Sequence, residues 1–180
     1  GAFLQRSSPT ADSLAATAGT PAFGKGLAAL VLPEREGLRY RESWTLGHNM
    51  QTPDDIGRRD LIVTDVPYVG MVGWSNSFYA FDDREFTGFQ TLIGWVGDLA
   101  LAEPVQTTTH AITGATEPNG WDNQLANEPL LNVYAMRKIK FFSGRWLDAT
   151  WNVDGALGNF FTQAQAALEM RFGRRPGGFV

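Results

Sequence analysis

The chain has no cysteine and only 2 histidines in 180 residues. That excludes a disulfide framework, a cysteine nucleophile and a His- or Cys-rich metal site. Runs of lysine or arginine are absent too. With 15 basic and 19 acidic residues and a net charge of −4, nothing here provides an electrostatic footprint for a nucleic-acid backbone. Long apolar stretches are also missing, since Gly26 to Pro33 and Leu92 to Leu101 fall short of the about 20 residues a membrane helix needs. The opening Gly1-Ala2-Phe3-Leu4 lacks the basic and apolar segments of a signal peptide. No P-loop, dinucleotide fingerprint, zinc motif or G-x-S-x-G elbow occurs. What is plentiful is glycine, at 20 residues, and aromatic side chains, at 12%. Sheet proteins with tight turns share that composition with outer-membrane barrels and their aromatic girdles.

Residues 1–37, rich in Ala, Ser, Thr, Pro and Gly, read as a loop or surface arm that contacts a partner, with a short helix around Ser13 to Ala18. From Tyr40 the pattern changes to period two, with Tyr40, Trp44 and Leu46 set against Arg41, Ser43 and Thr45. Further strands are expected over Tyr68 to Tyr79 and Phe86 to Gly97, joined through the polar turn Asp82-Asp83-Arg84-Glu85. The last third alternates most clearly, over Leu131 to Phe141, Leu147 to Val153 and Phe160 to Phe172. Each of these strands carries one apolar and one polar face. A soluble sheet with its polar face in water fits that pattern. So does a transmembrane barrel with its apolar face in lipid.

Residues 98–128 interrupt the alternation. Leu99 to Glu103 and Val105 to Ile112 predict a helix with Pro104 near its first turn, which puts Gln106 and His110 at i and i+4 on one face. An excursion of that length between strands is where function is expected. His110 is a candidate general base, with Glu117 or Asp122 as the group that orients its ring or meets the substrate. The alternative is a surface histidine on a polar helix, and His48, at a strand end, has the same two readings. Asp54-Asp55 after Pro53 reads as a helix cap rather than a calcium loop, because adjacent carboxylates lack the ligand spacing.

Several blocks occur in a distinctive order: His48 to Ile56, Asp65 to Gly70, Gln106 to His110, Gly120 to Pro129 and Gly158 to Thr162. Over residues about 40–175 they resemble the outer-membrane lipid A 3'-O-deacylase family. The resemblance implies an all-β fold, an antiparallel up-and-down transmembrane β-barrel of about twelve strands. Residues 38–180 would supply about six or seven of these strands, with the 98–128 excursion carrying the site. It implies an esterase of the bacterial outer membrane that removes the 3'-linked acyloxyacyl group, with His110 as base and Gln106 positioning substrate or polarising the ester. Lipid A or lipopolysaccharide and the surrounding lipid would be its partners, and a protein partner or further chain would close the sheet. Calcium is the implied cofactor, although the family's Asn-Asp metal half-site has no counterpart in this chain. A member without catalysis, serving as an outer-membrane scaffold or complex subunit, is the other expectation.

Overall fold

A computed structural model describes residues 1–17 and 22–173. Its strands are β1 (Ala2–Ser7), β2 (Arg39–Gln51), β3 (Val69–Phe81), β4 (Glu85–Val96), β5 (Glu128–Ser143), β6 (Leu147–Gly158) and β7 (Gln163–Phe172). The helices are α1 (Ala22–Ala28) and α2 (Ala102–Thr113). The strands form one antiparallel sheet in the order β1-β2-β3-β4-β5-β6-β7. Where a helix was expected around Ser13 to Ala18, residues 12–16 form bends and turns, and Ala18 lies outside the described residues, as do residues 174–180.

The expected transmembrane barrel is corrected by this topology. β1 and β7 stand at opposite ends of the strand order and do not pair, so the described sheet is open with two edges. A barrel requires every strand to have two neighbours. Part of the sheet surface is committed to other packing: Leu14, Ala28, Leu32 and Leu38 form a core with Tyr40, Phe78, Ala80 and Phe89. No described helix is long and apolar enough to cross a membrane.

The chain divides into two compact units, one comprising Gly1–Leu4, Thr45–Trp74 and Ile93–Leu130, the other Gln5–Trp44, Ser75–Leu92 and Leu131–Val180. The second unit holds the core just described. In its strands β5 and β6 several of the polar positions are the buried ones. Asn132, Lys140, Asp148, Thr150 and Asp154 are buried, while Val133, Ile139, Trp151, Val153, Leu168 and Met170 are exposed. That arrangement is the reverse of a soluble sheet that solvates its polar face. Charge pairing makes it tolerable. The Asp148 carboxylate lies 3.5 Å from Lys140 Nζ and 3.1 Å from an Arg171 guanidinium nitrogen, and Ser143 Oγ donates to it at 3.0 Å. Two residues along the same pair of strands, Lys138 on β5 reaches Glu169 on β7 at 3.1 Å. Register explains the geometry, because Asp148 faces Arg171 directly across β6 and β7.

The turn between β3 and β4 is built on charge as well. The Asp82 carboxylate accepts the Arg84 and Glu85 main-chain N–H groups at 2.7 and 2.8 Å and pairs with Arg35 at 3.2 Å. Glu85, the last residue of the polar turn expected from sequence, is buried and paired with Arg35 and Arg137. Burial alone would raise the Asp82 carboxyl, but its N–H donors and the Arg35 guanidinium outweigh burial and hold it below the usual range. A depressed folded-state value stabilises the fold above the unfolded carboxylate pKa of about 3.9, and the contribution is lost as pH falls through the folded value. Denaturant midpoints between pH 7 and pH 3 should therefore fall less for Asp82→Asn than for the wild type. Parallel pH curves would remove Asp82 from the account.

Candidate functional site

The excursion after β4 is tied at its base. Gly97, just past β4, has φ of +105°, and a Cβ there would lie 2.8 Å from Asn127 Cα. Only glycine suits that conformation and that close approach. The Gly97 N–H donates to the Gly70 carbonyl at 2.9 Å, closing the two strand ends. Asn127 holds the other side. Its Oδ1 accepts from Trp95 Nε1 at 3.0 Å and from the Leu99 N–H at 3.1 Å, while Nδ2 donates to the Asp98 carboxylate.

From this base the chain passes through a short 3-10 turn, Asp98–Ala100, into α2. Pro104 sits in the first turn, where a missing N–H breaks no helical bond. Glu103 in the same turn suits the positive end of the helix dipole. The helix stops at Gly114, whose φ of +71° lets its N–H return to the His110 carbonyl. Ala102 and Gln106 are the buried residues of α2. Ala102 packs with Tyr68 and Trp121, and with the partly buried Met50 and Ile56.

Trp121 links the helix to the loops. Its Nε1–H donates to Gln106 Oε1 at 3.0 Å, and its ring centroid lies 4.8 Å from that of Tyr68 at 54°. The Tyr68 hydroxyl donates to the Ile56 carbonyl at 2.9 Å. Burial pushes the Tyr68 phenol up, and the Asp55 carboxylate adds to the effect, so this tyrosine stays a neutral donor. Asn119 N–H also reaches the Ile56 carbonyl, at 2.8 Å, and Asn123 Nδ2 donates to the Arg59 carbonyl at 2.7 Å.

One turn beyond Gln106, the half-buried His110 places Nδ1 2.5 Å from the Thr116 carbonyl oxygen. A carbonyl only accepts, so Nδ1 carries the hydrogen, and in the neutral form of the ring Nε2 is the nitrogen with the lone pair. The anticipated acidic orienter is not what the structure provides: no hydrogen bond joins His110 to Glu117 or Asp122, and the main chain immediately before Glu117 takes that place. Glu117 and Asp122 instead line one open cleft of about 320 Å³ with Arg59, Glu103, Thr107 and Asn119. Thr107 lies three residues before His110 on α2, so the ring is one turn from the cleft.

The remaining candidates have structural roles. His48 Nε2 lies 2.8 Å from the Ala100 carbonyl, at the turn into α2. Asp54 and Asp55 cap no helix, because bend and turn structure follows them. The local acceptor is Asp65, whose carboxylate receives the Asp54 and Val66 N–H groups at 2.9 and 2.7 Å. Among the described residues no group of three or more His, Cys, Asp or Glu side chains gathers to hold a metal ion. Calcium favours six to eight oxygen ligands with several carboxylates, and the described side chains do not fit it.

Thr116 and Trp121 were not singled out from sequence. A main-chain acceptor has no side-chain signature, while Trp121 was visible within the Gly120 to Pro129 block.

The family model described as "Outer membrane protein LpxR" matches residues 1–178. That span includes residues 1–37, beyond the blocks that carry the resemblance. Among solved structures, LpxR from Salmonella typhimurium aligns with a TM-score of 0.60 at 16% identity, over 94% of this chain and 63% of that one. At this identity the likeness concerns fold alone. The chain thus spans 63% of that structure's length. No curated protein matches the chain.

Proposed function

Because the chain belongs to the LpxR family and is a bacterial outer-membrane protein, we propose that the whole protein is an esterase that hydrolyses the 3'-linked acyloxyacyl group of lipid A, with His110 as its general base. The observation that carries this reading is the Nδ1 contact of His110 with the Thr116 carbonyl at 2.5 Å. It leaves Nε2 to take a proton from water. The water oxygen attacks the ester carbonyl carbon, and the Thr116 carbonyl steadies the imidazolium that forms. Collapse of the tetrahedral intermediate breaks the bond to the sugar oxygen, which receives the proton back from Nε2. A free acid and a 3'-hydroxyl result.

Gln106 suits the second task. Its Oε1 is taken by Trp121, so the amide N–H groups are the end left to donate to the developing oxyanion. Glu117 and Asp122 meet the polar part of the substrate from the cleft, with Arg59 as its cation. No step runs through a metal ion. The exposed apolar face of Trp151, Val153, Leu168 and Met170 is the surface this reading gives to membrane lipid.

Hydrolysis and acyl transfer are separable in water enriched in oxygen-18. The expected product is a free fatty acid carrying one heavy oxygen, detected by mass spectrometry. Unlabelled acid would contradict attack by water. No released acid at all is the outcome belonging to the competing reading, a family member that serves as a scaffold or complex subunit without catalysis.

A further inference from the structure

We infer that Trp121 is a positioning residue that acts through Gln106, deciding which end of the Gln106 amide is presented to the reacting ester. The inference deepens the deacylase reading above and rests on it for its kinetic consequences. Its structural half stands independently.

A glutamine amide has two ends of nearly the same shape and opposite hydrogen-bonding character. Turned one way it offers N–H donors, which stabilise an oxyanion. Turned the other way it offers a carbonyl oxygen, which repels one. Gln106 is 8% exposed, so water does little to choose between these states. The indole N–H of Trp121 does choose, because it can only donate and lies 3.0 Å from Gln106 Oε1. With the oxygen so committed, the N–H groups point away from Trp121, and no described residue accepts from them.

The indole is in turn held against rotation. Trp121 is 2% exposed and packs on Tyr68, whose hydroxyl is anchored to the Ile56 carbonyl. Immediately before it, Gly120 leaves no room for a side chain: a Cβ there would lie 2.6 Å from Tyr68 Cε2 and 2.9 Å from the Arg58 carbonyl. Just after it, Asn123 ties the segment to the Arg59 carbonyl at 2.7 Å. The loop before β3 therefore sets the indole, and the indole sets the amide on α2. Sequence separation hides this relation, since Trp121 lies 15 residues from Gln106 and its partner Tyr68 is in a different loop.

The test uses the full-length protein in detergent micelles with purified lipid A. Trp121→Phe keeps an aromatic ring and removes only the N–H, so the amide samples both orientations. The expected result is a fall in kcat of about tenfold with KM unchanged, the size of one net hydrogen bond. On a Gln106→Ala background the same change costs nothing further, because its intermediary is gone. Wild-type kcat in Trp121→Phe, or losses that multiply in the double variant, would overturn the inference.

A spectroscopic arm covers failure of Trp121→Phe to fold and failure of the deacylase reading itself. In proton–nitrogen spectra, Gln106→Ala should shift the Trp121 indole N–H signal and speed its exchange with water. Gln106→Glu, which retains an acceptor, should leave that proton bonded. An indole signal unmoved by Gln106→Ala would overturn the pin whatever the activity. A wild-type protein that releases no acid, but shows the shift, would reject the deacylase reading and keep the Trp121–Gln106 pair.

Discussion

Replacing His110 with alanine is expected to lower lipid A deacylation by about 10²- to 10⁴-fold, the usual worth of a positioned general base. KM should change little, since the ring acts on water and stands one helical turn from the cleft lined by Glu117 and Asp122. The fold should survive, because His110 is half-buried and its side chain makes one hydrogen bond, to the Thr116 carbonyl. Steady-state release of fatty acid from purified lipid A measures the effect. Activity within a few-fold of wild type would show that another group accepts the proton.

The second large effect concerns stability and lies away from the site. Asp148→Ala is expected to cost about 3–5 kcal/mol, the cost of removing one partner from a buried ion pair. The Asp148 and Lys140 side chains are 5% and 3% exposed, so water cannot replace the lost carboxylate. Arg171 loses the same partner, while its own side chain remains 29% exposed and better solvated. Replacing both charges with apolar residues, as in Lys140→Met with Asp148→Leu, should recover much of that loss, since apolar side chains of similar size carry no desolvation penalty there. Denaturant unfolding of the single and double variants compares the two. A single variant within about 0.5 kcal/mol of wild type would fall in the range of ordinary surface substitutions and reduce the cluster to a surface feature.

Sequence periodicity made β2 to β7 legible, although burial runs unbroken from Ser75 to Phe78 in β3 and from Thr87 to Phe89 in β4. It could not say which face is buried. The pattern in β5 separates Lys138 and Lys140 from Ile139 and Phe141, yet nothing in period two assigns Lys140 to the inside. Only partners on neighbouring strands, Asp148 above all, decide that. Closure was equally invisible: a strand pattern shows what can pair, and the strand order shows that β1 and β7 do not.

Two elements near the start of the chain were missed for identifiable reasons. β1 is exposed along its whole length, so its sequence carries no buried face. α1 contains Gly24 and Gly26, which weaken helix propensity, and its stability comes from packing, with Ala28 fully buried in the core. α2 was legible because its ends are marked in the sequence, by Pro104 in the first turn and Gly114 past the last.

At the site, the i and i+4 spacing of Gln106 and His110 was readable, and the structure adds what each side chain touches. Gln106 faces inward to Trp121, while the His110 ring is held by a main-chain oxygen. The acidic residues near His110 in sequence were expected to orient the ring or meet the substrate. Glu117 and Asp122 line the cleft beside Arg59 instead of bonding the ring. Proximity along the chain pointed to two carboxylates, whereas the hydrogen bond of the ring goes to a main-chain oxygen.

Mass spectrometry of lipid A from cells expressing the full-length protein, with His110 intact or changed to alanine, reads the deacylation and the role of His110 together. A lipid A species lighter by the 3'-linked acyloxyacyl group is expected in the first case and intact lipid A in the second. Identical lipid A from the two strains would contradict that expectation.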